Sequence, residues 1–181
     1  ANELLRLVEI QPERGRDYPH ELSGGMKQRV MIAMSLACQP KLVIADEPTT
    51  ALDVMVQAHT LNLLRRLQKE LKISLIMISH DLSILAQNCD RIAIMYAGQV
   101  VENAPTKELV DRPAHPYTVE LLRAIPELIG EKRVLKPIPG NPPDLLNPPK
   151  GCRYADRCPW REAICSSETP VLRDITPERS V

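Results

Sequence analysis

Two short apolar runs with a long amphipathic stretch between them constrain this chain more than any other feature. Lys41–Ala45 reads KLVIA and Ser74–Ile78 reads SLIMI. Runs this short, continuous and rich in branched residues suit buried strands better than surface helices. Val54–Leu71 lies between them, with helical spacing that sets Leu61, Leu64, Leu67 and Leu71 on one side. Strand, helix and strand in that order predict a βαβ unit with parallel strands, and so an α/β fold.

The flanking residues extend the same pattern. Asn2–Val8 reads as helical. Ser23 is a natural N-cap for a helix through about Ala37, which ends near Pro40. Leu82–Asn88, Thr106–Val110 and Tyr117–Ala124 read as further helices, and Arg91–Tyr96 with Gln99–Glu102 as a hairpin around Ala97-Gly98. From residue 126 onward the chain turns proline-rich, and IPGNPPDLLNPPKG at 138–151 reads as an extended, semi-rigid connector. With no Phe and one Trp, the core must be aliphatic.

Several function classes are disfavoured. Lys+Arg and Asp+Glu both total 23, so the basic excess usual in nucleic-acid binders is absent. No apolar run approaches the roughly 20 residues that span a bilayer, and the first residues, ANELLRLVEI, do not read as a signal peptide. They begin inside a helical pattern without an initiator Met, as expected of a fragment. Five cysteines without a secretory signal favour thiols or metal ligands over disulfides.

Three segments carry candidate chemistry. In Leu22-Ser23-Gly24-Gly25-Met26-Lys27-Gln28-Arg29, two glycines follow a Ser N-cap, so backbone N–H groups at a helix start could meet an anion closely. The plainer reading is a glycine turn before an amphipathic helix. Leu42–Pro48 delivers Asp46 and Glu47 at the C-terminal end of a strand, where parallel sheets bind ligands. One acid can hold Mg²⁺ while the other orients or deprotonates a water; alternatively both are merely solvated. Ser79-His80-Asp81 follows the second strand, where a His could reach a terminal phosphate or the segment could simply cap the next helix.

Taken jointly, residues 1 to about 125 resemble the ABC-transporter ATPase family. Leu22–Arg29 resembles its signature motif, Leu42–Glu47 its Walker B strand, Ala51-Leu52-Asp53 its D-loop, and His80 its switch histidine. The resemblance implies a P-loop NTPase-like α/β nucleotide-binding domain, represented by the C-terminal portion of the parallel sheet and part of the helical subdomain. It further implies ATP as substrate, Asp46 for Mg²⁺, and Glu47 and His80 as catalytic residues. Nucleotide contacts are expected from Ser23, Gly24, Gly25, Gln28, Asp46 and Asp53. One departure stands out: no G-x-x-x-x-G-K-[ST] phosphate loop occurs, nor the family's glutamine loop. The chain is therefore expected to begin within the helical subdomain and not to complete an ATP site by itself.

The second half narrows the resemblance. His115-Pro116-Tyr117-Thr118, Leu121-Leu122, Ala124-Ile125-Pro126, and Pro139-Gly140 leading to Gly151-Cys152-Arg153 resemble the C-terminal extension of dipeptide and oligopeptide importer ATPases. The expected division is an ATPase portion over 1–112 and an extension over 113–181. The expected function is ATP hydrolysis that powers peptide import. The expected location is peripheral, on the cytoplasmic face of the membrane. Implied partners are a second ATPase subunit, of the same or a different chain, two transmembrane permease subunits and, indirectly, an extracytoplasmic solute-binding protein; no nucleic acid is expected. Cys152, Cys158 and Cys165, with five and six residues between them, suit a metal or an iron–sulfur cluster. Members of this subfamily that bind a [4Fe–4S] cluster here use a fourth Cys. The bland alternative is three unligated or partly disulfide-bonded thiols. Cys38 and Cys89 read as small buried hydrophobes. A different function class stays open: a truncated regulatory module with a metal- or redox-sensing Cys tail.

Overall fold

The βαβ unit is present, with sharper boundaries than the periodicity alone supplies. Strand β1 (Leu42–Asp46) pairs in parallel with β2 (Ser74–Ile78), and helix α3 (Val54–Leu71) connects them. The computed structural model describes residues 1–50, 52–124 and 137–181. Ala51, Ile125 and Pro126, among the residues that carry the family resemblance, lie outside the described residues, as does the start of the proline-rich stretch. The described chain divides into two compact units, Ala1–Asn88 and Cys89–Val181.

In the first unit, caps decide where helices begin. The Asp53 carboxylate accepts the Val56 N–H at 2.9 Å, and Lys72 ends α3 in the left-handed region at φ 53°. Helix α2 (Gly24–Leu36) starts at the predicted cap, where Ser23 Oγ accepts the Met26 N–H. Helix α1 (Asn2–Leu7) and the turn after it supply Val8 and Ile10 to a core shared with Ile32, Ala33 and Leu36 of α2 and Leu63, Leu64 and Leu67 of α3. Val43 of β1 and Leu75 and Met77 of β2 pack on this cluster.

Two expectations need correction here. The strands are covered on one face only: Ile44 is 62% exposed, and Leu42, Ile76 and Ile78 each about half. Alternation puts these side chains opposite Val43, Leu75 and Met77. Leu71, the last residue of α3, is exposed although its helical spacing keeps it on the stripe, while Leu63 is buried in the core.

The second unit is built on the predicted hairpin. Strands β3 (Arg91–Tyr96) and β4 (Gln99–Pro105) pair antiparallel, with Ala97 and Gly98 both at positive φ as a tight two-residue turn requires. Helix α4 (Leu82–Asn88) precedes the hairpin in sequence; α5 (Thr106–Asp111) and α6 (Pro116–Arg123) follow it. The chain's last residues then return. Strand β6 (Arg179–Ser180) adds to β4 through Asn103↔Ser180, and β5 (Asp174–Thr176) pairs with β6.

A buried ion pair fixes this return. Glu102 is fully buried, and its carboxylate takes the Arg179 guanidinium at 2.6 Å and the N–H groups of Ala114 and His115, each at 3.0 Å. Nearby, Tyr96, Tyr117 and Tyr154 pack with ring centroids 4.6–5.4 Å apart. Arg157 clamps the proline-rich connector by donating to the carbonyls of Pro139 and Ile138. All three cysteines of the tail are free thiols, so these contacts hold it without a disulfide. Cys38 is exposed in the turn after α2 and Cys89 only half-buried, so neither is the core residue expected. Among the described residues no helix is long and apolar enough to cross a membrane.

The pair has a pH signature. Burial alone would raise the Glu102 pKa, but its hydrogen bonds outweigh that and leave it lowered. Its contribution to stability is therefore full above the ordinary Glu value of about 4.3 and is lost as pH falls through the lower folded value. Glu102→Ala leaves the Arg179 charge buried and unpaired, and should cost about 3–5 kcal/mol at pH 7, with a smaller difference from wild type in acid. Urea unfolding followed through Trp160, which lies in the same unit, tests this. An unchanged midpoint at pH 7 would contradict it.

Candidate functional site

The parallel ladder brings two loop starts together. Asp46 is the last residue of β1 and is opposite Ile78, the last of β2. The Glu47 N–H donates to the Ile78 carbonyl at 2.9 Å, so the pairing continues one residue past the strand. Glu47 and His80 thus leave neighbouring strands at the same end of the sheet, where parallel sheets carry ligand sites.

There they meet. Glu47 Oε1 accepts the His80 backbone N–H at 3.1 Å and lies 2.8 Å from His80 Nδ1. Oε2 accepts the Thr50 hydroxyl at 2.8 Å. These contacts lower the Glu47 pKa, the His80 side chain first and Thr50 second, while the Glu47 hydrogen bond raises that of His80. Glu47 sits at φ 46°, a left-handed conformation that non-glycine residues seldom adopt and that redirects the chain out of β1. Asp46 is exposed at the strand exit and available to a cation, which fits a Mg²⁺ ligand. The His80 side chain is 83% exposed, free to turn toward a ligand. Asp81 performs the capping expected of this segment: its Oδ1 accepts the N–H groups of Ser83 and Ile84 at the start of α4.

The glycine turn forms a second focus. Ser23 and Gly24 are exposed at the start of α2. A Cβ on Gly25 would lie 2.6 Å from Val56 Cγ1, so packing against α3 excludes a side chain there. A Cβ on Gly24 would meet only Leu52 Cδ2, at an ordinary 4.0 Å. Packing therefore explains one glycine and leaves the other free for a close ligand approach. Asp53 is occupied by its cap on α3, and Gln28 is half-buried on α2. Among the described residues, no hydrogen bond joins Ser23 to Glu47 or His80.

Comparison with known proteins gives two family matches. Residues 1–50 match the family described as "ABC transporter", and residues 101–165 match "Oligopeptide/dipeptide transporter, C-terminal region". The chain is 52% identical over 167 residues to the "Oligopeptide transport ATP-binding protein OppD" of Escherichia coli (strain K12), covering 92% of this chain and 49% of that protein. It is 49% identical over 169 residues to the "Dipeptide transport ATP-binding protein DppD" of Bacillus subtilis (strain 168), covering 92% and 50%. The chain belongs to the ABC-transporter ATP-binding family, in its oligopeptide/dipeptide branch. It spans about half the length of the curated relatives it matches.

Solved structures agree on the fold. The ATP-binding cassette MJ0796, in a dimer described as post-hydrolysis and bound to ADP and Pi, matches at TM-score 0.50 with 32% identity, over 57% of this chain and 44% of that one. The cassette MJ1267, in an ADP conformation, matches at TM-score 0.57 with 24% identity, over 66% and 46%. The α/β class of this chain is thus settled, and ATP with Mg²⁺ is the nucleotide chemistry of its family.

Sequence reasoning did not find two participants. Thr50, on the Glu47 carboxylate, is an ordinary loop threonine by composition. Glu102, beneath the HPYT segment, is a single acid in a strand. Its contacts explain that segment physically: the His115 N–H is held by Glu102, and its Nδ1 accepts the Tyr117 N–H to start α6. The tail cysteines form no ligand set: among the described residues no group of three His, Cys, Asp or Glu is placed to hold a metal ion. Cys152 and Cys165 are joined by a backbone hydrogen bond of 2.9 Å, and the Cys158 thiol is raised by burial first and by its neighbours Cys152 and Cys165 after.

Proposed function

We propose that this chain supplies the catalytic acid pair and the signature turn of an ATP-hydrolysing subunit that powers peptide import. The observation that carries the reading is the Glu47 carboxylate, held by His80 and Thr50 beside an exposed Asp46 at the exit of a parallel strand. The relatives' names, oligopeptide and dipeptide transport ATP-binding proteins, supply the substrate class.

In this reading Asp46 would hold Mg²⁺, which when bound would supply positive charge against the phosphates. Glu47 accepts the proton of a water whose oxygen bonds to the γ-phosphorus, while the bond to the ADP oxygen breaks. His80 first satisfies Glu47; turning the imidazole toward the γ-phosphate would remove its Nδ1 from Oε1 and release a lone pair to act as base, while the His80 backbone N–H stays on that oxygen. Ser23, Gly24 and Gly25 present helix N–H groups to nucleotide bound by a facing ATPase subunit, of the same or a different chain, with Gln28 and Asp53 nearby. The apolar face of Leu42, Ile44, Ile76 and Ile78 is the surface that the rest of the nucleotide-binding domain covers. Permease subunits, and a solute-binding protein beyond them, complete the transporter, with this subunit peripheral at the cytoplasmic face. The division into an ATPase portion over 1–112 and an importer-type extension over 113–181 belongs to this proposal.

A [4Fe–4S] cluster on Cys152, Cys158 and Cys165 is the finer reading. Three thiols gathered in one tail support it; the arrangement described above does not form a ligand set, and no step of the mechanism runs through a cluster. Iron and sulfide assays on anaerobically purified full-length protein decide it, since an iron-free protein unaffected by Ser at all three positions would remove it. The enzymatic reading is tested by Glu47→Gln in the full-length subunit. Nucleotide binding should persist while turnover falls by roughly 10²-fold or more; turnover at the wild-type rate would refute the assignment.

A further inference from the structure

The loop between β1 and α3 places one hydroxyl where the mechanism above has no task for it. Thr50 Oγ1 donates to Glu47 Oε2 at 2.8 Å, and the Thr50 N–H donates to the Glu47 carbonyl at 3.2 Å. One residue therefore holds both the backbone and the carboxylate of Glu47. The loop around it is anchored: Thr49 is buried, the Leu52 N–H donates to the Thr49 carbonyl at 3.3 Å, and Asp53 caps α3.

We propose that Thr50 is a positioning residue for Glu47, fixing the direction in which the carboxylate presents its free oxygen. The proposal rests on the reading of Glu47 as general base. The terminal torsion of a glutamate is broad and sets no single carboxylate plane. Two groups restrain it here, His80 on Oε1 and Thr50 on Oε2. His80 is the exposed partner and the one whose departure frees a base. Once the imidazole leaves, the His80 backbone N–H still meets Oε1 and Thr50 is the side chain that still holds Oε2, so the second point that fixes the carboxylate plane during proton transfer is this hydroxyl. A small misplacement of a reacting group can cost as much as 10²-fold in rate.

The same loop leads into the α3 start, where Leu52 and Val56 meet Gly24 and Gly25. Thr50 thus ties the carboxylate to the segment that touches the signature turn.

Steady-state ATP hydrolysis by the full-length subunit in its assembled transporter tests the proposal with Thr50→Val, Thr50→Ser and Glu47→Gln in parallel. Thr50→Val should lower kcat roughly 10- to 100-fold and leave KM for ATP within about twofold, since the hydroxyl acts on the base and not on the nucleotide. Thr50→Ser keeps the hydroxyl and should restore most of the rate. Wild-type kcat in Thr50→Val, a change confined to KM, or a Thr50→Ser variant as slow as Thr50→Val would each overturn it. An active Glu47→Gln would remove the underlying reading together with the proposal. An inactive Glu47→Gln beside a fully active Thr50→Val would remove the Thr50 role alone.

Discussion

Asp46 pairs with Ile78 on the last rung of the β1–β2 ladder, and the Glu47 N–H on the Ile78 carbonyl adds one more bond beyond it. The candidate site depends on that register. A slip of β2 by one residue would turn Leu75 and Met77 away from the core and put Ile76 in their place. It would also part Glu47 from His80, whose contact joins residues 33 positions apart. The packing of Leu63, Leu64 and Leu67 against the inner strand faces is what holds the ladder in place, so the aliphatic core is the mechanical support of the acid pair.

The second unit solves a different problem. Its tail is proline-rich and has few regular elements, yet it is bound at defined points. Arg179 enters the buried Glu102 carboxylate, Tyr154 packs between Tyr96 and Tyr117, and Arg157 holds the connector carbonyls. By contacts the hairpin and the tail form one compact unit, because β4 carries both Glu102 and the Asn103 that pairs with Ser180. Charge pairing and aromatic packing hold this tail among the described residues.

Much of this was legible beforehand, for physical reasons that act locally. Caps and periodicity located α3, α4 and β2, and Ala97-Gly98 identified the hairpin turn. Long-range pairings were not legible. Glu102 in a strand looks like any solvent-facing acid until Arg179, 77 residues later, is beside it. Leu42, Ile44, Ile76 and Ile78 read as doubly buried because continuous apolar runs mark strands with both faces covered, while the described chain covers one. At the candidate site, motif order pointed to Glu47 and His80, but their direct contact and the Thr50 hydroxyl follow from the fold of the loop rather than from spacing.

The central claim is that this chain carries the acids and the signature turn of an ATP site but not the loop that cradles the phosphates. Calorimetric titration of the 181-residue chain with Mg-ATP tests it most directly. In the proposed reading Asp46, Glu47 and His80 face a metal and a terminal phosphate, yet the 181 residues hold no glycine-rich loop with its lysine to grip the phosphates. The account predicts no binding heat at micromolar nucleotide. A micromolar dissociation constant would contradict it and mean that the phosphates are held by residues other than those named here.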